Sequence, residues 1–349
     1  MNLAIVGCGD VGFYVARLAW LNRKIRLVAC VDPDPERAAY VAKKSGCRTT
    51  YRNLDELLEA HGAASTATNA PAVPAAAPDA DSITPASVRG LDAVYLGVPH
   101  DLHLPLVRQA TEAGLAVLCE KPLAHTLEDA AEIARICESG AKIGINYQYR
   151  YDHAIYSLTE AVQNGTLGDI RYIRCNVPWC RTADYFGDGG WHAQQKRAGG
   201  GTLITQGSHL LDIALLCAGG TVTHASGQSF TEVFTATDVD DLFFGFLETS
   251  TGVKIQICSS MVAYPEQPVS IEVYGTRGTV TYLGPEKSRL VCSGVKVRRR
   301  KHPVRFYHAL GRSIEGFRRW VSGDDEYACP APEALKVMTA VDMLYKSAG

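Results

Sequence analysis

The chain has 349 residues, 46% of them hydrophobic and 21% charged. That length exceeds one ordinary compact domain and the composition is that of a well-cored globular protein, so two domains are expected. With 35 Lys and Arg against 37 Asp and Glu the net charge is −2, which gives no electrostatic reason to expect nucleic acid or an anionic membrane as partner. No run of about 18 apolar residues is present, so no bilayer span is expected. Residues 1–6 carry no basic n-region and run straight into Gly7, which leaves no place for a signal peptide ahead of the first strand. The eleven cysteines form no C-x-x-C pair, and Cys30, Cys119 and Cys258 sit in apolar runs. They read as reduced, buried small hydrophobes, and the cytoplasm is the expected compartment.

Residues 1–150 alternate short apolar runs with amphipathic stretches. Strands are expected at 3–6, 25–31, 93–96, 115–119 and 142–146, with helices at 11–21, 35–45, 53–60, 104–113 and 127–138. Strands alternating with helices of that length predict βαβ units and a parallel sheet. The rhythm breaks at about 63–90, which is rich in Ala, contains Pro71, Pro74, Pro78 and Pro85, and has almost no large hydrophobes. So little apolar surface cannot offset ordering entropy, and the stretch reads as a flexible insertion. Beyond 150 a helix near 154–164 leads into an alternating run at 170–177, a Gly- and aromatic-rich loop, and a helix at about 207–217. Residues 222–297 read as successive strands joined by Gly turns, the pattern of an antiparallel sheet. Helical patterns at 308–321 and 332–346 close the chain.

Three groups of residues carry chemistry. Gly7, Gly9 and Gly12 form a G-x-G-x-x-G pattern between the first strand and the first helix. Gly7 permits the tight turn, Gly9 a close approach to pyrophosphate, and Gly12 close helix–strand packing, with Asp10 and Val11 in the same helix-opening turn. Asp32 ends the second strand twenty positions beyond Gly12, where a carboxylate can accept both ribose hydroxyls and would repel a 2′-phosphate. NAD is therefore expected as cofactor, in preference to NADP. Glu120-Lys121-Pro122 follows the strand at 115–119, at the carboxyl edge where open α/β sheets bind ligands, and an ammonium there can polarise a carbonyl or move a proton. A glycine run at 199–201 leads to His209 and Asp212, one helical turn apart on a common face, and a histidine at a helix start can serve as general base.

In this order, these motifs resemble the glucose–fructose oxidoreductase/inositol dehydrogenase/rhizopine-catabolism oxidoreductases, the Gfo/Idh/MocA family. The resemblance extends to the 97–103 segment, Gly97-Val98-Pro99-His100-Asp101-Leu102-His103, and to Ala113-Gly114 ahead of the Glu-Lys-Pro strand. It implies an α/β protein with an N-terminal Rossmann domain over 1–122. An α+β substrate-binding and oligomerisation domain with a large, mostly antiparallel open sheet follows over 123–349, and 123–150 and the C-terminal helix pack back on the first domain. It further implies hydride transfer at a secondary carbinol of a sugar, polyol or sugar nucleotide, and a homodimer or homotetramer. By motif position Lys121 and His209 match the catalytic lysine and histidine. Pro99, His100, His103, Glu120, Lys121 itself and Asn146 fall on the cofactor side, and His100 stands where an asparagine is commoner. Arg150, Thr205 and Asp212 fall on the substrate side. Thr205 occupies a position that is often aspartate, so an inositol-dehydrogenase-like Lys/Asp/His triad is not expected.

The loop at 179–197 concentrates Arg181, Tyr185, Phe186, Trp191, His192, Lys196 and Arg197 and reads as a substrate wall. Aromatic faces stack on sugar C–H faces, donors meet hydroxyls, and an arginine suits a carboxylate or phosphate. The basic run at 298–301 lacks interleaved aromatics and reads as a solvated edge rather than a nucleic-acid site. No H-E-x-x-H or paired-Cys spacing suggests a metal. Two other functions remain open to these motifs: a glycosidase that uses NAD only transiently, and a non-catalytic sensor of NAD or sugar.

Overall fold

The computed structural model describes residues 1–62, 90–187 and 190–348; the insertion expected at 63–90 lies almost entirely outside them. The chain forms two compact units, Met1–Gly97 with Pro105–Val117, and Val98–Leu104 with Leu118–Gly349.

The elements of the first half are β1 (Asn2–Val6), α1 (Asp10–Leu21), β2 (Arg26–Val31), α2 (Pro35–Lys44), β3 (Thr50–Tyr51) and α3 (Leu54–Ala60). They are followed by β4 (Ala93–Leu96), α4 (His103–Glu112), β5 (Ala116–Cys119), α5 (Leu127–Glu138) and β6 (Ile143–Ile145). The sheet order is β3-β2-β1-β4-β5-β6, and β1 runs parallel to both β2 and β4. Leu3, Ala4 and Ile5 of β1 and all four residues of β4 are fully enclosed, which is why these strands read as continuous apolar runs rather than alternating ones. Local signals fix the helix starts. Asp34 accepts from the Glu36 and Arg37 amides ahead of Pro35 at the first position of α2, and Asn53 accepts from the Glu56 amide at α3. At α1 the cap is Gly9, with no side-chain acceptor, so the first-turn amides stay available to an anion.

The second half contains α6 (His153–Gln163), β7 (Ile170–Pro178), the short α7 (Gln195–Ala198), α8 (Ser208–Ala218) and β8 (Val222–Phe230). Then come β9 (Leu242–Thr249), β10 (Lys254–Ser260), β11 (Val269–Gly275), β12 (Thr279–Gly284), β13 (Arg289–Ser293), α9 (Ala309–Val321) and α10 (Ala331–Ala348). Their sheet has the order β13-β12-β11-β7-β10-β9-β8. Every pairing is antiparallel except that of β7 with β10. One face is sealed: Ile173, Ile255, Ile257, Ile271, Val273 and Tyr282 are all buried, and α8 packs across β7, β10 and β11. The opposite face presents Tyr172, Phe244 and Phe246, the last 58% exposed. The basic run at 298–301 is exposed and follows β13 without joining the sheet.

Ahead of α8 the chain makes one π-helical turn, Leu203–Gly207, which sequence periodicity did not anticipate. Such a turn admits an extra residue and leaves backbone carbonyls free of helical partners, a feature common at functional sites.

Candidate active site

In the first unit the glycine loop has the shape of a dinucleotide cradle. Gly7 has φ +92°, and a Cβ on Gly12 would lie 2.0 Å from the Gly7 carbonyl oxygen, so neither position admits another residue without rearrangement. A Cβ on Gly9 would meet nothing within 4 Å, which is open space above the loop. Asp32 is buried at the end of β2 and tied to that loop: Oδ2 accepts from the Cys8 amide at 2.8 Å and Oδ1 from the Asp34 amide at 2.9 Å. Each carboxylate oxygen keeps a further lone pair for a hydroxyl. Asp10 and Val11 are exposed on the first turn of α1. The residues present fit a dinucleotide.

In the second unit Lys121 follows β5 and donates from Nζ to the Thr205 carbonyl at 2.5 Å. That carbonyl belongs to the π turn, and the Thr205 hydroxyl is itself spent on the Gly201 carbonyl at 2.6 Å. Glu120 accepts from Asn146 Nδ2 at 2.6 Å and from the Lys121 amide at 3.2 Å, while Asn146 Oδ1 accepts from Ser313 at 2.7 Å. Glu120 and Asn146 thus hold the lysine's backbone in place. Burial lowers the Lys121 pKa, Glu120 opposes that, and the Arg181 charge adds to it.

His209 lies in the first turn of α8. Its ring stacks on Tyr149 (centroids 4.7 Å apart, planes 17° apart) and meets Tyr147 edge-on at 6.0 Å. Burial, and then the Lys121 charge, push its pKa well below 6.5, so the imidazole is neutral at neutral pH. His209 Nδ1, the Ser208 hydroxyl and both amide atoms of Gln206 are buried without a hydrogen bond of good geometry among the described residues, with the Tyr147 hydroxyl near Ser208 and the Tyr185 hydroxyl near Gln206. Orphaned polar atoms concentrated on one helix start are unusual for a structural segment and suit a ligand that brings hydroxyls.

The remaining expected residues sort by what they touch. His100 points Nδ1 at the Ala198 carbonyl (2.7 Å) and packs edge-on against Trp191 at 4.5 Å. His103, next to the turn that Pro99 opens, is enclosed, with its two ring nitrogens at the Pro122 and Val98 carbonyls; burial lowers its pKa to about 4. Arg150 and Asp212 meet each other. The guanidinium shares its Nε–H between the two Asp212 carboxylate oxygens (2.9 and 3.1 Å), donates from Nη2 to the same carboxylate (2.6 Å), and donates from Nη1 to the Ala328 carbonyl. Burial works against the Arg150 charge, and Asp212 overcomes it and keeps the guanidinium protonated. In the wall loop Trp191 stacks on His192 at 3.7 Å, and Tyr185 packs against His192 at 4.5 Å. Phe186 joins Val239 and Met261 in a small core, Arg197 pairs with Asp101 at 3.0 Å, and Lys196 is exposed.

Three contributors escaped the sequence reading. Tyr147 and Tyr149 alternate directly after β6, a visible pattern whose target on α8 is set only by the fold. Asp240 accepts from the Gly201 amide (2.7 Å), the Leu203 amide and the Tyr345 hydroxyl, which fixes the glycine run ahead of the π turn. Its only sequence signal is an acidic pair, Asp240-Asp241, beside an apolar strand.

An NAD-binding Rossmann half followed by a one-face-sealed, mostly antiparallel sheet defines a two-part oxidoreductase. Residues 1–147 match the model described as oxidoreductase family, NAD-binding Rossmann fold, and residues 155–281 match the GFO/IDH/MocA C-terminal domain. The chain belongs to the Gfo/Idh/MocA family of oxidoreductases. It is 26% identical to the D-glucoside 3-dehydrogenase of Escherichia coli, spanning all of this chain and 95% of that one. Identity to the inositol 2-dehydrogenase of Rhizobium meliloti is 23%, over 99% and 96% of the two chains. Among solved structures, the WlbA dehydrogenase from Bordetella pertussis in complex with NADH and UDP-GlcNAcA superposes with a TM-score of 0.80 at 23% identity, covering 100% of this chain and 96% of that one. That likeness establishes the shared fold.

Proposed function

We propose that the chain is a dehydrogenase of a secondary carbinol on a sugar, polyol or sugar derivative, with NAD preferred over NADP. The observation that carries this reading is the pairing of Lys121, a lysine of lowered pKa, with a neutral buried His209 that feels its charge, beside the orphaned polar atoms of Gln206 and Ser208. Bound NAD supplies the hydride acceptor. Asp32, already tied to the glycine loop through Cys8, holds the ribose hydroxyls and disfavours a 2′-phosphate.

In the oxidation direction the neutral His209 takes the hydroxyl proton. Its Nδ1 has no hydrogen-bond partner among the described residues, so no protein donor or acceptor there competes with the transfer. Lys121 Nζ, anchored on the Thr205 carbonyl, presents its remaining N–H bonds to the oxygen as negative charge develops there. Arg150 and Asp212, each consumed by the other, position α8 rather than contact substrate. The exposed aromatic face of the second sheet suits a homo-oligomer, dimer or tetramer, and the eleven free thiols suit the cytoplasm.

The test is an absorbance assay of NADH formation by purified protein with NAD⁺ and panels of free sugars, polyols, sugar acids and nucleotide sugars. NADH formed with any of them, and lost in Lys121→Met, supports the reading. Demonstrable NAD binding with no turnover across all panels overturns it.

A further inference from the structure

We infer that the substrate carries an anionic group, a carboxylate or phosphate ester, and that Arg181 is the residue that reads it. The inference rests on the dehydrogenase reading for where the substrate sits, and goes beyond it by naming the substrate's charge.

Arg181 is built into the wall rather than free on its surface. Its amide donates to the Met261 carbonyl at 2.7 Å, and the neighbouring Cys180 pairs with Val262, so the backbone is clamped on both sides. The guanidinium lies over two rings, 4.9 Å from the Trp179 centroid and 5.4 Å from that of Tyr185. Those faces fix the plane of the fork and leave its edge for hydrogen bonding.

The edge is underused. Among the described residues its polar partners are the Cys180 carbonyl at 3.4 Å and Glu266 at 3.8 Å, the latter half-exposed and already accepting from the Cys180 amide. The side chain is 30% exposed, so a solute can reach it. A planar five-donor fork with no short bond matches a carboxylate or phosphate, whereas sugar hydroxyls are served by neutral groups such as Gln206.

Arg181 borders the reacting site: Tyr185, whose ring the guanidinium overlies, packs on His192 and sets its hydroxyl beside Thr205 and Gln206. The Arg181 cation is felt at Lys121 and at His192, which lies against Tyr185. The two cations repel, and among the described residues the carboxylate that acts on Lys121, Glu120, is committed to Asn146 and the Lys121 amide. An anionic substituent on the substrate relieves that repulsion, while a neutral sugar does not.

The experiment uses NADH-loaded full-length protein and matched pairs: a hexopyranose against its uronate, and the same hexose against its phosphate ester. Dissociation constants are measured by calorimetry for wild type, Arg181→Gln, Arg181→Lys and Glu266→Gln, and NADH formation from NAD⁺ is recorded alongside. One anionic member is expected to bind about 10- to 100-fold more tightly than its neutral partner, the range for hydrogen bonds to a charged group. Which pair shows the preference separates carboxylate from phosphate. The ratio should collapse in Arg181→Gln, persist in part in Arg181→Lys, and rise in Glu266→Gln, where a competing carboxylate is removed. Because Glu266→Gln leaves the stacked guanidinium intact, it reads the same interaction if Arg181→Gln fails to fold. Equal affinities within both pairs, or a ratio unmoved by both Arg181→Gln and Glu266→Gln, overturn the inference. The dehydrogenase reading is judged separately, by turnover.

Discussion

Lys121 donates from Nζ to the backbone carbonyl of Thr205, four residues before His209, so main chain and not a side-chain carboxylate anchors the ammonium. A carbonyl offers direction without a full countercharge, and burial is then free to lower the lysine's pKa below its ordinary 10.5. The pH dependence of kcat/KM for oxidation follows. His209 must be neutral, so activity falls as pH drops through its pKa, which lies well below 6.5. Lys121 must be protonated, so activity also falls as pH rises through a pKa below 10.5. The plateau should lie between those two pKa values. Thr205→Asp would place a carboxylate beside the ammonium and move the alkaline limb upward. If activity instead climbs through the alkaline limb, Lys121 is the proton acceptor and the two roles exchange.

Lys121→Met should remove the alkaline limb and lower kcat by about 100- to 1,000-fold, the usual loss on deleting one oxyanion donor. NAD affinity, read by fluorescence quenching, should change little. A parallel loss of NAD binding would place Lys121 on the cofactor instead of the reacting oxygen.

The ring of Tyr149 is the floor on which His209 rests. Stacked aromatic pairs contribute about 0.5–1.5 kcal/mol beyond area, so Tyr149→Ala should cost roughly 2- to 12-fold in kcat. Tyr149→Phe keeps the face and should stay near wild type. Equal losses in the two variants would show that the hydroxyl, and not the ring, matters.

Much of this site is legible in sequence because its parts obey local rules. The glycine spacing, Asp32 at the end of β2, and Lys121 at the end of β5 each follow from strand–turn–helix geometry, and periodicity alone locates most helices to within a residue or two. The rest depends on contacts far apart in the chain. Nothing in a linear reading tells Arg150 that its partner is Asp212, or Glu120 that Asn146 will meet it. The π turn at Leu203–Gly207 is stabilised by Asp240 from another segment, so no local pattern announces it. Thr205 illustrates the difference: by position it stands for a missing carboxylate, yet its backbone carbonyl is what Lys121 touches.

Asp32 joins cofactor choice to loop geometry, since its carboxylate accepts from both Cys8 and Asp34. Asp32→Asn keeps one oxygen acceptor while removing the charge. The ratio of kcat/KM for NAD over NADP should fall about 10- to 100-fold, the scale of one hydrogen bond to a charged group. Asp32→Ala deletes both acceptors and should weaken both cofactors. A ratio unchanged in Asp32→Asn would mean that the ribose is distinguished elsewhere.

The Arg150–Asp212 pair separates a positioning role from a binding one. Both side chains are almost fully enclosed, 8% and 0% exposed, and Asp212 sits one turn beyond His209 on α8. Asp212→Leu strands a buried guanidinium, which costs about 3–5 kcal/mol. It should lower the unfolding temperature in calorimetry and reduce kcat as α8 shifts. Arg150→Met combined with Asp212→Leu replaces the pair by apolar groups of similar volume, an exchange that is often neutral. If the pair only positions α8, the double variant recovers both stability and kcat with KM near wild type. If either residue contacts substrate, stability returns but KM stays raised, because the hydrogen bonds that the substrate needs have gone with the charges.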